Sequence, residues 1–176
     1  MARVTLVEEQ QQPGLSPLAA KIRGGRGGKL HDFYRALMHS PDLAAAWFDF
    51  NNAVRFRTGL DDRLRELVIM RVAALTGCDY VWSVHEARYA AGAGLSRVEV
   101  AALRGTPAPE SFEPREQALL AYVDAMTRDV AVPDAAFRAL REHYSEREIV
   151  ELTVLVAAYN MHVRFLRALE FDPEKK

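Results

Sequence analysis

Cysteine is almost absent from this chain: Cys78 stands alone among 176 residues. A single thiol excludes an intrachain disulfide and any metal site built from several thiolates. It suits a reducing, cytoplasmic setting. Charge of one sign is also lacking, since the net charge is −1 and the sequence pI is about 6.5. A near-neutral chain has no electrostatic footprint for nucleic acid or for an anionic membrane surface. The longest apolar run, "ELTVLVAAYNM", is interrupted by polar groups. No run approaches the roughly 20 residues of a membrane span. The opening "MARVTLVEEQQQPG" contains no apolar signal core. The expectation is a soluble cytoplasmic protein that meets neither membrane nor nucleic acid.

What is abundant is apolar side chain. Hydrophobic residues make up 49% of the sequence, enough for one sizeable core in a chain of single-domain length. Residues 1–29 stand apart: "VEEQQQPGLSP" is polar and "KIRGGRGGKL" is basic and glycine-rich. They read as a flexible arm. "GGRGGKL" lacks the spacing and the hydroxyl residue of a phosphate loop.

Residues 30–176 read as helix after helix. Leu30, Phe33, Leu37 and Met38 share one helical face. Ser40-Pro41 marks a helix start. Asp61 is placed to cap the segment in which Leu64, Leu67, Val68, Val72 and Leu75 recur at helical spacing, and Gly77 stops it. "DYVWSVHEARYAAGAG" follows. Ser96-x-x-Glu99 and Ser145-x-x-Glu148 are capping boxes that open two further helices. "TPAPESFEP" is a loop. The pattern predicts an all-α bundle of about seven or eight helices with no strand.

Candidate chemistry gathers around Gly77. Cys78 is placed at a helix N-terminus, where unpaired N–H groups favour a thiolate. His85 lies two turns on, about 10 Å along the axis and on the same face. Closure of the two segments into an antiparallel hairpin brings Glu66 opposite His85. A carboxylate there would orient the imidazole for proton transfer. Taken singly, each of these residues has an ordinary structural reading: a packed thiol, a satisfied core histidine, a solvated glutamate. None of His31, His39, His85, His143 and His162 forms an HxxxH or HExxH pair, so no metal is expected.

Together these residues carry a resemblance. "RELVIMRVAALTGCDYVWSVHEARYAAGAGL", with Glu66, eleven residues, Cys78, six residues and His85, resembles the core of the carboxymuconolactone decarboxylase family, which includes the alkylhydroperoxidase D-like proteins. "FYRALMHSPDLAAAWFDF" and "YNMHVRFLRALEF" look like the family's upstream and C-terminal helices, so the likeness spans roughly residues 30–172. It implies an all-α fold assembled as a trimer or hexamer. It also implies catalytic roles for Glu66, Cys78 and His85. In the peroxidase branch two cysteines work together. The first matches Cys78, but the second falls on Val81, so that two-thiol cycle is unavailable here. In the decarboxylase branch a small lactone acid loses CO₂ without a cofactor.

Three functions are therefore expected, in order. The first is cofactor-free acid–base catalysis on a small organic acid or lactone. Here Tyr80, Trp82 and Tyr89 would shape the pocket, and Arg71 or Arg88 would hold a carboxylate. The second is a peroxidase using Cys78 with an external thiol. The third is an oligomeric binding protein without turnover.

Overall fold

The computed structural model describes residues 2–105 and 111–173. Among them regular structure is entirely helical. Two short 3₁₀ turns, Glu9–Gln11 and Pro13–Leu15, lead into α1 (Ser16–Gly24). Then come α2 (Asp32–Leu37), α3 (Pro41–Phe56), α4 (Asp62–Thr76), α5 (Asp79–Arg88) and α6 (Arg97–Arg104). The chain continues with α7 (Pro114–Arg128), α8 (Asp134–Arg141) and α9 (Glu146–Ala168). Residues 106–110, most of the expected loop before α7, lie outside the described residues.

The start signals act as chemistry requires. The Asp61 carboxylate accepts the Leu64 N–H at 2.7 Å and caps α4. Ser96 and Ser145 each close a reciprocal capping box with Glu99 and Glu148. Gly77 ends α4 in the left-handed region at φ 61°, which lets the Cys78 N–H reach back to the Ala73 carbonyl at 2.9 Å. A Cβ at Gly77 would also come within 2.9 Å of the Arg167 guanidinium, which donates to the Gly77 carbonyl.

α4 is the central helix, packed against α5, α6, α7 and α9. It is buried nearly all round, from Leu64 through Leu67–Val72, the expected state of a helix without a solvent face. Each such aliphatic side chain removed from water contributes about 1.5–3 kcal/mol. Buried within α4 are also two charged residues, Glu66 and Arg71. α9 has the length and mean hydropathy (1.4) of a membrane-crossing helix. In the bundle its Leu152, Leu155, Val156 and Val163 are packed into the shared core.

The segment expected as a flexible arm is largely folded. Ala19 and Ile22 of α1 are fully buried, and Val7 is buried beside them in the same core. The polar composition concealed a short apolar stripe. After α1 the chain turns through Gly27 and Gly28, both at positive φ, and lays residues 25–29 beside α3. Arg26 fixes this strap by donating to Asn52 Oδ1 at 2.7 Å and to the Tyr34 hydroxyl at 2.9 Å.

Candidate functional site

The α4–α5 hairpin closes around Gly77 and brings Glu66 onto His85. Glu66 Oε2 accepts from His85 Nδ1 at 2.6 Å, with both side chains buried. That bond assigns the proton to Nδ1 and leaves Nε2 as the basic nitrogen. Burial pushes the His85 pKa below its ordinary value, outweighing the opposing pull of Glu66. The ring is therefore neutral at neutral pH and able to accept a proton.

His85 borders a cavity of about 60 Å³, large enough for about four waters. Tyr89 packs on its ring at 5.1 Å between centroids and Tyr159 stands edge-on at 5.8 Å. His162 of α9 lies one ring further, 5.9 Å from Tyr159. Burial drives the His162 pKa down to about 3 and that of Tyr159 up to about 12, so both are uncharged. His162 Nδ1 is buried without a hydrogen-bond partner. Arg55, from the last turn of α3, stacks over Tyr89 at 4.9 Å. Burial opposes its charge, yet Tyr159, Tyr89 and Glu66 together hold its guanidinium above the ordinary value. Although His31, His85 and His162 all line this cavity, no three His, Cys, Asp or Glu side chains among the described residues converge to hold a metal.

Cys78 does not open into this cavity. It is the N-cap of α5 and is buried, which raises its pKa, so the thiol stays protonated where a thiolate was expected. It borders a separate recess of about 340 Å³ with Asp79, Arg167 and Phe171. Tyr80 is the wall between the two spaces and lines both. Val81, on the other hand, does line the His85 cavity.

Three expected pocket residues are placed differently. Arg71 is consumed by structure. Its Nε and Nη2 donate to the two Asp124 oxygens at 2.6 Å each, and Nη1 donates to the Leu103 and Gly105 carbonyls. Four of its five N–H donors are used in this way, and it lines neither the His85 cavity nor the recess beside it. Trp82 turns away, donating its indole N–H to Glu86 at 3.0 Å beneath the Arg104 guanidinium, 4.0 Å from its ring. Arg88 lies further out, in a recess of about 300 Å³ that shares Arg26, His31, Arg55 and Tyr89 with the inner cavity. Tyr89 lines both spaces.

The residues that sequence reasoning did not single out are Arg26, Arg55 and Tyr159. Arg55 reads as an ordinary basic residue at a helix C-terminus, and Arg26 sits in a glycine run that reads as a loop. Neither offers a motif.

Comparison with known proteins agrees with this architecture. Residues 41–125 match the carboxymuconolactone decarboxylase family. The uncharacterized protein YnjA of Escherichia coli (strain K12) is 29% identical over 123 residues, covering 68% of this chain and 66% of that protein's length. A protein of unknown function from Agrobacterium tumefaciens, with a suggested antioxidant-defence role of the AhpD type, superposes with a TM-score of 0.73 at 28% identity, covering 79% of this chain and 95% of the other. The debrominase Bmp8 superposes with a TM-score of 0.80 at 23% identity, covering 97% and 91%.

Proposed function

Because the chain belongs to the carboxymuconolactone decarboxylase family, we propose that it is a cofactor-free acid–base enzyme acting on a small organic acid or lactone. The carrying observation is the buried Glu66–His85 pair at the edge of a polar cavity. A neutral imidazole with Nδ1–H fixed on a carboxylate offers Nε2 as the base. The same carboxylate stabilises the imidazolium once the proton has arrived. His85 takes a proton from carbon or oxygen of the substrate, and its conjugate acid returns one to the developing carbanion or enolate. Decarboxylation and isomerisation both need this shuttle and no redox partner.

Cys78 supports a peroxidase less well. Peroxide reduction needs a thiolate, whereas burial keeps this thiol protonated and a different cavity holds it away from His85. The position that would set a thiol in the His85 cavity carries Val81, which has no redox chemistry.

The test is a panel of small carboxylated lactones and unsaturated acids, read by CO₂ release and by solvent deuterium incorporation. The wild type should turn over a member of the panel, with kcat/KM rising through an inflection below pH 6.5 as His85 loses its proton. His85→Ala should abolish turnover while leaving the circular dichroism unchanged. Undiminished activity in that variant overturns the proposal.

A further inference from the structure

The inner cavity holds only the reacting end of a substrate, so the rest must lie in the outer recess. The two spaces meet at Arg26, His31, Arg55 and Tyr89. Their combined lining is one-sided in charge. Arg26, Arg55, Lys29 and Arg88 contribute cations, and among the described residues no carboxylate lines either space. Glu66 is behind His85 and is bonded to it.

Arg55 is the outstanding member. Its guanidinium is held by a side-chain hydrogen bond with Tyr89, but its buried Nε has no partner, and an unsatisfied donor is costly to bury. Its guanidinium lies on the Tyr89 ring, and Tyr89 lies on His85. Arg55 is thus one aromatic ring away from the basic nitrogen. Arg26 reaches the same junction from the glycine strap and bonds only neutral oxygens there: Asn52, Tyr34 and the Gly25 carbonyl. Two arginine charges against the single charge of Glu66 leave the junction one positive charge in excess. His162 adds an unpartnered buried nitrogen deeper in the same cavity.

We propose that Arg55 and Arg26 form the anion seat of this pocket, and that its ligand is a small monocarboxylate. The carboxylate docks on the two guanidinium groups at the junction, and the opposite end enters the inner cavity. The direction of the bound molecule rests on the proton-transfer reading of His85; the seat itself does not. Arg71, bonded to Asp124 and two carbonyls, is not an anchor.

The experiment is calorimetric titration of the full chain with 2-furoate and, as a neutral isostere, 2-furamide. Saturable 2-furoate binding is expected, with 2-furamide more than about tenfold weaker, because a charge-assisted hydrogen bond contributes more than the 1.4 kcal/mol of one decade. Arg55→Gln should weaken 2-furoate binding by about tenfold or more, Arg26→Gln by less, and Arg55→Lys should recover part of the loss. Arg57→Gln, an exposed neighbour on the same turn, should leave the affinity unchanged. His85→Asn should still bind. Loss of turnover with binding retained therefore separates the seat from the acid–base reading. The proposal is overturned if 2-furoate fails to bind at tens of millimolar. It is also overturned if 2-furamide binds equally well, or if folded Arg55→Gln and Arg55→Lys both keep wild-type affinity.

Discussion

Glu66 and Arg71 lie five residues apart on α4, both buried, both charged, both paired across a helix boundary. They serve opposite ends. Arg71 spends four of its five N–H donors on Asp124 and two carbonyls. It ties α4 to α7 and to the end of α6, and nothing about it faces a space. Glu66 spends one oxygen on a histidine whose other nitrogen remains free to act, and that histidine borders a cavity. Burial and charge alone therefore do not mark a functional residue. Unspent hydrogen-bonding capacity beside a void is what sets the proposed Glu66–His85 site apart.

The comparison can be broken most forcefully by exchanging the symptoms. Arg71→Met should cost about 2–4 kcal/mol in chemical denaturation, since it leaves the Leu103 and Gly105 carbonyls without their donor and Asp124 with only the more distant Arg128, while turnover per folded molecule stays unchanged. Glu66→Gln should do the reverse. Stability should move by about 1 kcal/mol or less, and kcat should drop by roughly two to four orders of magnitude. If Arg71→Met instead abolished turnover at full stability, the division between scaffold and site would be wrong.

A smaller effect comes from acid. His162 and His85 stay neutral in the folded protein below the pH at which an unfolded histidine takes up its proton. The unfolded state then binds more protons, so stability falls as pH drops from 6.5 towards 3. For His162 the loss is about 2 kcal/mol between pH 6.5 and 5. His162→Phe should flatten the decline of the melting temperature over that interval, and an unchanged slope would refute the assignment. The smallest effect belongs to the thiol. Cys78→Ala should leave turnover within about twofold and cost about 1 kcal/mol of stability. A hundredfold loss of turnover would return the thiol to the centre of the chemistry.

The helices were legible because their boundaries are local chemistry. Asp61, Ser96 and Ser145 cap what they were expected to cap, and Gly77 turns the chain where a left-handed residue is needed. The Glu66–His85 contact followed from the hairpin. Cys78 was placed on the His85 face by helical spacing, but it is an N-cap at φ −90° and ψ 85°. Helical phase begins only after it, so the seven-residue interval does not carry over. Arg71 stood on the right helix, but its partner Asp124 lies 53 residues away on α7, beyond the reach of periodicity; Glu86 is the i+4 neighbour of Trp82, a pairing that helical spacing offers. Arg26 and Arg55 reach the site through the tertiary placement of the strap and of α3, for which no local signal exists. Folding of residues 16–24 depended on a stripe too short to stand out from its polar surroundings.

The strap has a consequence for how this protein can be altered. Residues 25–29 lie outside the segment 41–125 that matches the family, yet they place Arg26 at the cavity junction. The proton-handling pair is held within α4 and α5. Of the two arginines of the proposed seat, Arg55 thus belongs to the shared segment and Arg26 to the strap outside it. Varying position 26 alone, with Gly25, Gly27 and Gly28 kept for the turn, would adjust one half of the seat while leaving Arg55 and the Glu66–His85 pair untouched.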